Sequence, residues 1–157
     1  MTTLLLIITL PVLAALQARL PTAWWLGGLR FEFLPALVVY AALTLRRGPA
    51  IAFAFAAGLI QDSLSAGPIG LHASVYATIT ALLTGMNDVL DRELPWMQMG
   101  AGAITTGVAS LLAICITGIS FGAILKLLIL AVISAVITPV LFLGLDALRY
   151  FLGREAR

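Results

Sequence analysis

The sequence predicts an all-α protein: an integral membrane bundle of about six transmembrane helices joined by short loops. Of its 157 residues, 62% are hydrophobic and only 10% are charged, against about 25% charged residues in soluble domains. The mean hydropathy is +1.12. A membrane-spanning helix needs about 20 apolar residues, so six spans use roughly 120 of them. We therefore expect a single polytopic membrane domain over residues 1–157.

The same composition argues against several functional classes. So apolar a chain is neither a soluble enzyme nor a disordered tail, and its net charge of +2 is too small for nucleic-acid binding by charge. It has one histidine and one cysteine, so no His/Cys metal cluster and no cofactor is expected. Cys115 lies in an apolar run and is expected to be a buried, inert thiol.

Six apolar runs are separated by charged or turn-forming segments. The first run has no basic residue before it and no clear cleavage site, which distinguishes it from a signal peptide. A five-span alternative merges or demotes the first or second run. The predicted spans are residues 3–17, 33–45, 50–64, 69–85, 96–118 and 123–145, followed by a basic tail.

The distribution of basic residues predicts the orientation of the bundle. With six spans, the side that holds both termini carries Arg46, Arg47, Arg92, Arg149, Arg154 and Arg157. The opposite side carries Arg19, Arg30 and Lys126. Because cytoplasmic loops are enriched in Lys and Arg, we expect both termini to be cytoplasmic.

One face of the third span carries small residues and ends in polar ones. Its members lie three or four positions apart, on one side of a helix: Ala54, Ala57, Gly58, Gln61 and Asp62. Lipid does not drive apolar helices together, so small residues that permit close packing mark a helix interface. We expect this face to accept a partner helix.

Asp62 itself has two interpretations. A charged group within a span is costly and usually faces protein or a water-filled cavity, which favours a polar anchor for a partner or ligand. Alternatively, Asp62 caps the end of the helix and the turn that follows, because acceptors near turns bind backbone N–H groups. In the expected orientation it lies about 18 Å beyond Ala50, in the outer half of the membrane.

The fourth span carries a polar stripe with a spacing of four residues: His72, Tyr76, Thr80 and Thr84. Hydrogen bonding between helices is the favoured role of such a stripe. His72 follows the turn directly, so it is expected close to Asp62. The pair has no third member and no nucleophile, so a catalytic role is not expected.

Glycine and proline predict a tight turn between the third and fourth spans, over Gly67-Pro68-Ile69-Gly70. The fifth span is rich in small residues, which predicts close helix packing within the protein or against a partner. These residues are Gly100, Gly102, Ala103, Gly107, Ala109 and Ala113.

The segment over residues 58–73 reads GLIQDSLSAGPIGLHA. It combines a glycine, an aspartate four positions later and a turn of Gly-Pro-x-Gly type that leads into the next span. This pattern resembles the signature region of the rod shape-determining protein MreD family, with the distinctive match over Gly58 to Gly85. Many members begin with a basic segment, whereas this chain begins Met1-Thr2-Thr3.

The resemblance implies a non-catalytic scaffold of the bacterial cell-elongation machinery, which synthesises peptidoglycan at the inner membrane. The implied partners are MreC above all, then the MreB filament, the RodA glycosyltransferase and its penicillin-binding transpeptidase. The implied fold is similar to the S components of energy-coupling-factor vitamin transporters. The expected partner-binding or structural signature comprises Gly58, Gln61, Asp62, Gly67, Pro68, Gly70, His72 and Tyr76.

A second function stays open, a transporter subunit of the S-component kind that binds a vitamin-like molecule. Its pocket would lie near the outer face, lined by Asp62, His72, Tyr76 and the loop that holds Trp24 and Trp25. Ligand sites combine an apolar lining with a few placed polar groups, and the predicted outer loops hold few such groups.

Overall fold

The computed structural model describes residues 2–19, 32–65, 69–86, 94–117 and 121–155. In this part of the chain six helices occur and no strand, as predicted. The helices are α1 (Thr2–Arg19), α2 (Leu34–Thr44), α3 (Arg47–Leu64), α4 (Leu71–Gly85), α5 (Pro95–Thr117) and α6 (Phe121–Glu155).

Proline lies in the first turn of three of these helices. Pro35 follows the first residue of α2, Pro49 is the third residue of α3, and Pro95 is the first residue of α5. Proline suits these positions because N–H groups in the first turn have no partner within the helix and because its φ is already helical. Proline therefore helps to define where these three elements begin.

The short helix α2 forms the centre of the molecule. Every residue from Leu34 to Ala42 is buried, and α2 packs against each of the other five helices. A helix that is hydrophobic on all sides is stable only when it is surrounded. The all-apolar run LPALVVYAAL therefore becomes the core around which the other helices assemble.

Two helical hairpins pack around α2. Helices α3 and α4 form the more extensive pair, and α5 and α6 form the second. Only residues 65–70 connect α3 to α4, and so short a link makes the two helices antiparallel neighbours. Helix α1 packs on α2 and α3, and α4 meets α5 at the seam between the hairpins.

The sixth helix corrects the predicted boundary at residue 145. It continues to Glu155, so the expected basic tail is helical as far as residue 155. From Asp146 to Leu152 the sequence contains neither glycine nor proline, so no helix breaker interrupts this part. At about 52 Å, α6 is longer than a hydrocarbon core of about 30 Å.

Among the described residues, two stretches are long and apolar enough to cross a membrane. They are Thr2–Arg19, with a mean hydropathy of 1.6, and Leu127–Phe151, in which a window of 18 residues has a mean hydropathy of 2.7. Helix α2 is apolar but has only 11 residues. Six complete spans therefore stay a prediction, whereas the apolar helices themselves are present.

Cys115 is exposed on α5, which corrects the expectation of a buried thiol. The expectation came from its apolar neighbours in sequence. In a bundle whose outer faces are apolar, however, a hydrophobic run does not distinguish the inner side of a helix from the outer side.

Candidate functional site

The carboxylate of Asp62 is buried near the end of α3 and faces the start of α4. Its Oδ2 accepts a hydrogen bond from the Gly70 N–H at 2.8 Å, and its Oδ1 accepts one from the His72 N–H at 3.0 Å. The Ala73 N–H donates a longer bond of 3.3 Å to Oδ2. The first N–H groups of a helix have no partner within it, so Asp62 caps α4 from the neighbouring helix.

His72 adds a fourth hydrogen bond to the same carboxylate. Its Nδ1 lies 2.8 Å from Oδ1 of Asp62, and both side chains are buried. Because an ionised carboxylate can only accept, Nδ1 carries the donated hydrogen. The expectation that His72 lies close to Asp62 is confirmed. Of the two interpretations of Asp62, the geometry favours the cap.

Two glycines make this hairpin compact. Gly70, the residue before α4, has φ of +96°, a left-handed conformation that glycine adopts without steric cost. At Gly58, a Cβ atom would collide with the backbone of His72 and Ala73. Helices α3 and α4 are therefore in direct backbone contact where glycine lacks a side chain.

A pair of glutamines joins three elements beside the capped hairpin. The Gln17 Nε2 donates to the Gln61 Oε1 at 2.9 Å, and the Phe33 N–H donates to the Gln17 Oε1 at 3.1 Å. Both amide side chains are buried. Gln17 was not among the predicted site residues, although an amide at the end of an otherwise apolar run is a signal of a buried partner.

The other members of the polar stripe on α4 do not form the predicted hydrogen bonds to a neighbouring helix among the described residues. The side chains of Tyr76 and Thr80 are fully buried, and neither hydroxyl has a hydrogen-bond partner among the described residues. Thr84 donates to carbonyl oxygens of its own helix. Within the described part of the chain, hydrogen bonding to another helix is therefore found for His72 and not for the other three.

Glu32 adds a second carboxyl group to the region around Asp62 and His72. It is half-buried just before α2 begins. Burial raises the pKa of its carboxyl above the ordinary value, and the electrostatic interaction with His72 opposes that rise. Its acid group therefore interacts electrostatically with His72 at the start of α4.

The second hairpin has its own polar contacts. The Thr106 hydroxyl donates to the Ser134 Oγ at 2.7 Å, and the Ser134 hydroxyl also lies 3.2 Å from the Gly102 carbonyl oxygen. A Cβ at Gly102 would collide with the Thr138 side chain. The close packing predicted for the fifth span therefore occurs within the chain at Gly102, whereas Gly107 has open space around it.

Tyr40 ties the central helix to α6. Its hydroxyl donates to the Asp146 Oδ1 at 2.8 Å, and its ring meets the Phe142 ring edge-on with centroids 4.9 Å apart. A buried tyrosine commonly needs such a polar partner. Sequence reasoning missed this pair, because the two residues are 106 positions apart.

The small-residue face of α3 is turned inward. All five of its members are buried, and Gly58 is covered by the α4 backbone. The face is therefore occupied within the same chain, by α4 at Gly58 and by α1 at Gln61, and is not open to a partner helix. Four residues of the predicted site and pocket lie outside the described part of the chain: Gly67, Pro68, Trp24 and Trp25.

Apolar stripes on the outside of α1 and α6 remain uncovered. On α6 every member is more than half exposed: Leu128, Val132, Val136, Val140 and Leu143. On α1 the stripe consists of Leu4, Ile8, Val12 and Leu16. Contiguous exposed apolar surface marks contact with a membrane or with another protein.

The fold and this site define a membrane-associated helical bundle whose described polar side chains cap its helices, connect them, or bond to a carbonyl of their own helix. In the described residues, no group of three or more His, Cys, Asp or Glu is arranged to hold a metal ion. The chain belongs to the rod shape-determining protein MreD family, whose model matches residues 1–152. The resemblance seen over Gly58 to Gly85 therefore extends across nearly the whole chain. No match was found to a curated protein or to a solved structure.

Proposed function

We propose that this chain is a non-catalytic, multi-pass scaffold of the cell-elongation machinery in the bacterial inner membrane. In this proposal it binds MreC through helix packing and has both termini in the cytoplasm. The observation that carries the proposal is membership of the rod shape-determining MreD family over residues 1–152. MreB, RodA and the penicillin-binding transpeptidase belong to the wider assembly that we propose.

The burial of the small residues on α3 supports a partner surface on the exposed helices of the bundle. The α3 face is used within the chain, so a partner has to approach elsewhere. The stripes on α1 and α6 are long, apolar and uncovered. They extend over about 18 Å and about 22 Å of helix rise, enough for several turns of a partner helix. We therefore assign MreC binding to one of these two stripes.

Tryptophan substitutions test this assignment. Lipid tolerates a larger apolar side chain, but closely packed helices do not. Val136→Trp on α6 and Ile8→Trp on α1 serve as controls for each other, since both sites are more than half exposed. We expect one variant to lose MreC on copurification in mild detergent and the other to retain it. Full recovery with both variants would contradict packing on these stripes.

A vitamin-binding carrier subunit is the second candidate, favoured by one observation. The fully buried hydroxyls of Tyr76 and Thr80 have no partner among the described residues, and a ligand is one way to satisfy them. Against it, both oxygens of Asp62 and the Nδ1 of His72 are engaged within the chain. Mass spectrometry of the purified protein separates the two functions: a bound metabolite favours the carrier, and copurified wall-synthesis proteins favour the scaffold.

A further inference from the structure

An open groove follows the seam between α4 and α5. Its cavity volume is about 480 Å³. The floor is formed by Val75 and Ile79, which are 6% and 8% exposed, and the walls include Leu82 and Ile104, which are 63% and 61% exposed. The groove therefore combines a buried apolar floor with apolar walls that open to the outside of the bundle.

The two hydroxyl groups in the lining do not change its apolar character. The Ser74 hydroxyl donates to the Leu71 carbonyl oxygen at 2.9 Å, and the Thr78 hydroxyl donates to the Ser74 carbonyl oxygen at 2.8 Å. Both groups thus bond to their own helix. An occupant of the groove would be held by apolar contact, which is proportional to the area that it buries and needs no polar recognition.

The dimensions of the groove favour a single hydrocarbon chain. From Ser74 to Met86 the α4 wall rises about 18 Å, close to the depth of about 15 Å of one leaflet of a bilayer core. Helices α4 and α5 are themselves in contact at this seam, so the space between their exposed walls suits a chain that is narrower than a helix, which is about 10 Å across with its side chains.

Positive charge at one end of the bundle suits the phosphate head group of a lipid. Because α3 and α4 are antiparallel, the Met86 end of the groove lies at the end of the bundle where α3 begins. Arg46 and Arg47 are exposed at that end, where they can interact with a phosphate head group. An acyl chain that enters beside Met86 would extend toward Ser74.

We propose that the groove between α4 and α5 binds one acyl chain of a membrane phospholipid, held more firmly than the lipid on the outer stripes. This proposal rests on the proposed membrane location. It does not depend on the identity of any protein partner.

Photo-crosslinking tests the proposal with the full chain. The protein is reconstituted into vesicles of phosphatidylethanolamine and phosphatidylglycerol that contain a phosphatidylcholine with a diazirine in its acyl chain. Adducts are then mapped by mass spectrometry. We expect labelling of the groove to exceed labelling of the exposed α6 stripe several-fold. Equal labelling of the two surfaces would overturn the groove site alone, whereas no labelling of either would overturn the membrane location as well.

A matched pair of variants on α5 tests whether the lipid labelling of α4 depends on the groove. Leu112 lines the groove and Leu111 does not, and both side chains are partly exposed. Leu112→Trp should reduce labelling of α4 several-fold, and Leu111→Trp should leave it unchanged. Ile104→Trp is a second filling variant in case Leu112→Trp fails to fold. An equal effect of the filling and control variants would overturn the proposal. So would an adduct between the groove and another protein, formed in cells by a photoreactive amino acid placed in the groove.

Discussion

The position of Asp62 explains how a carboxylate is tolerated within an apolar helix. Four hydrogen bonds converge on it, three of them from the backbone at the start of α4. Burial of a charge is costly unless the group is paired and hydrogen-bonded. The N-terminal end of α4, where the helix dipole is positive, also stabilises the negative charge of Asp62. Asp62 therefore joins two helices at a position where an apolar residue would leave several N–H groups without partners.

Substitution of Asp62 by asparagine tests the cap. The asparagine side chain has an NH2 donor in place of one accepting oxygen, and this donor would face the N–H groups at the start of α4. We therefore expect the loss of hydrogen bonds to a charged group, each worth about 1.5–3 kcal/mol. Asp62→Asn should clearly lower the thermal unfolding midpoint in detergent. The neighbouring Ser63→Ala is the control, since Ser63 is exposed and bonds to a carbonyl of its own helix. Equal midpoints for the two variants would show that the cap contributes little.

Two buried tyrosines allow a matched comparison of hydroxyl groups. The Tyr40 hydroxyl bonds to Asp146, whereas the Tyr76 hydroxyl has no partner among the described residues. We expect Tyr40→Phe to reduce the free energy of unfolding by about 1.5–3 kcal/mol. Tyr76→Phe should leave it unchanged or raise it, because an unsatisfied buried donor is removed. Denaturant titration in detergent measures both, and a large loss for Tyr76→Phe would reveal a partner beyond the described residues.

At the scale of elements, each of the two helical hairpins has a glycine at a point where its helices approach closely. The α3–α4 pair meets at Gly58, and the α5–α6 pair meets at Gly102. Close approach of this kind replaces the hydrophobic drive that is absent between helices in lipid. The central α2 then packs against both hairpins, which makes the arrangement one packed unit.

Alanine at Gly58 tests the closeness of the first hairpin. A Cβ there collides with backbone atoms of α4, which cannot rotate away. We expect Gly58→Ala to destabilise the protein by about 1–3 kcal/mol, the usual cost of overpacking. Gly107→Ala is the matched control, since Gly107 lies within α5 with open space around it, and alanine favours a helix by up to about 1 kcal/mol. Thermal midpoints in detergent compare the two, and equal stability would contradict the close approach.

At the scale of the whole molecule, orientation rests on the distribution of basic residues. A reporter fused after Arg157 should read as cytoplasmic, because the six predicted spans put six basic residues on the side of the termini and three on the other. A paired fusion in the segment between α1 and α2 should read as periplasmic. The measurement is the activity of compartment-specific reporters in living cells. A periplasmic reading after Arg157 would reverse the proposed topology.

Sequence reasoning was most successful where the signal was local. The two polar residues Asp62 and His72 are ten positions apart across a turn, so the turn alone predicts that they meet. Gln17 and Gln61 are 44 positions apart, and Tyr40 and Asp146 are 106 apart. Helical periodicity places a residue on a face of its own helix. It does not identify the helix that this face meets.

Composition and spacing by themselves predicted a bundle of about six apolar helices and most of the helix bounds that the described residues show, and the motif over residues 58–73 carried the resemblance to the MreD family. Only the tertiary structure decided that the small face of α3 is covered within the chain, that α2 lies at the centre, and that Cys115 faces outward. The physical reason is that inner and outer faces of such a bundle are equally apolar. Hydrophobicity therefore indicates a helix without indicating its neighbour, and the packing of backbone and polar groups selects the partner.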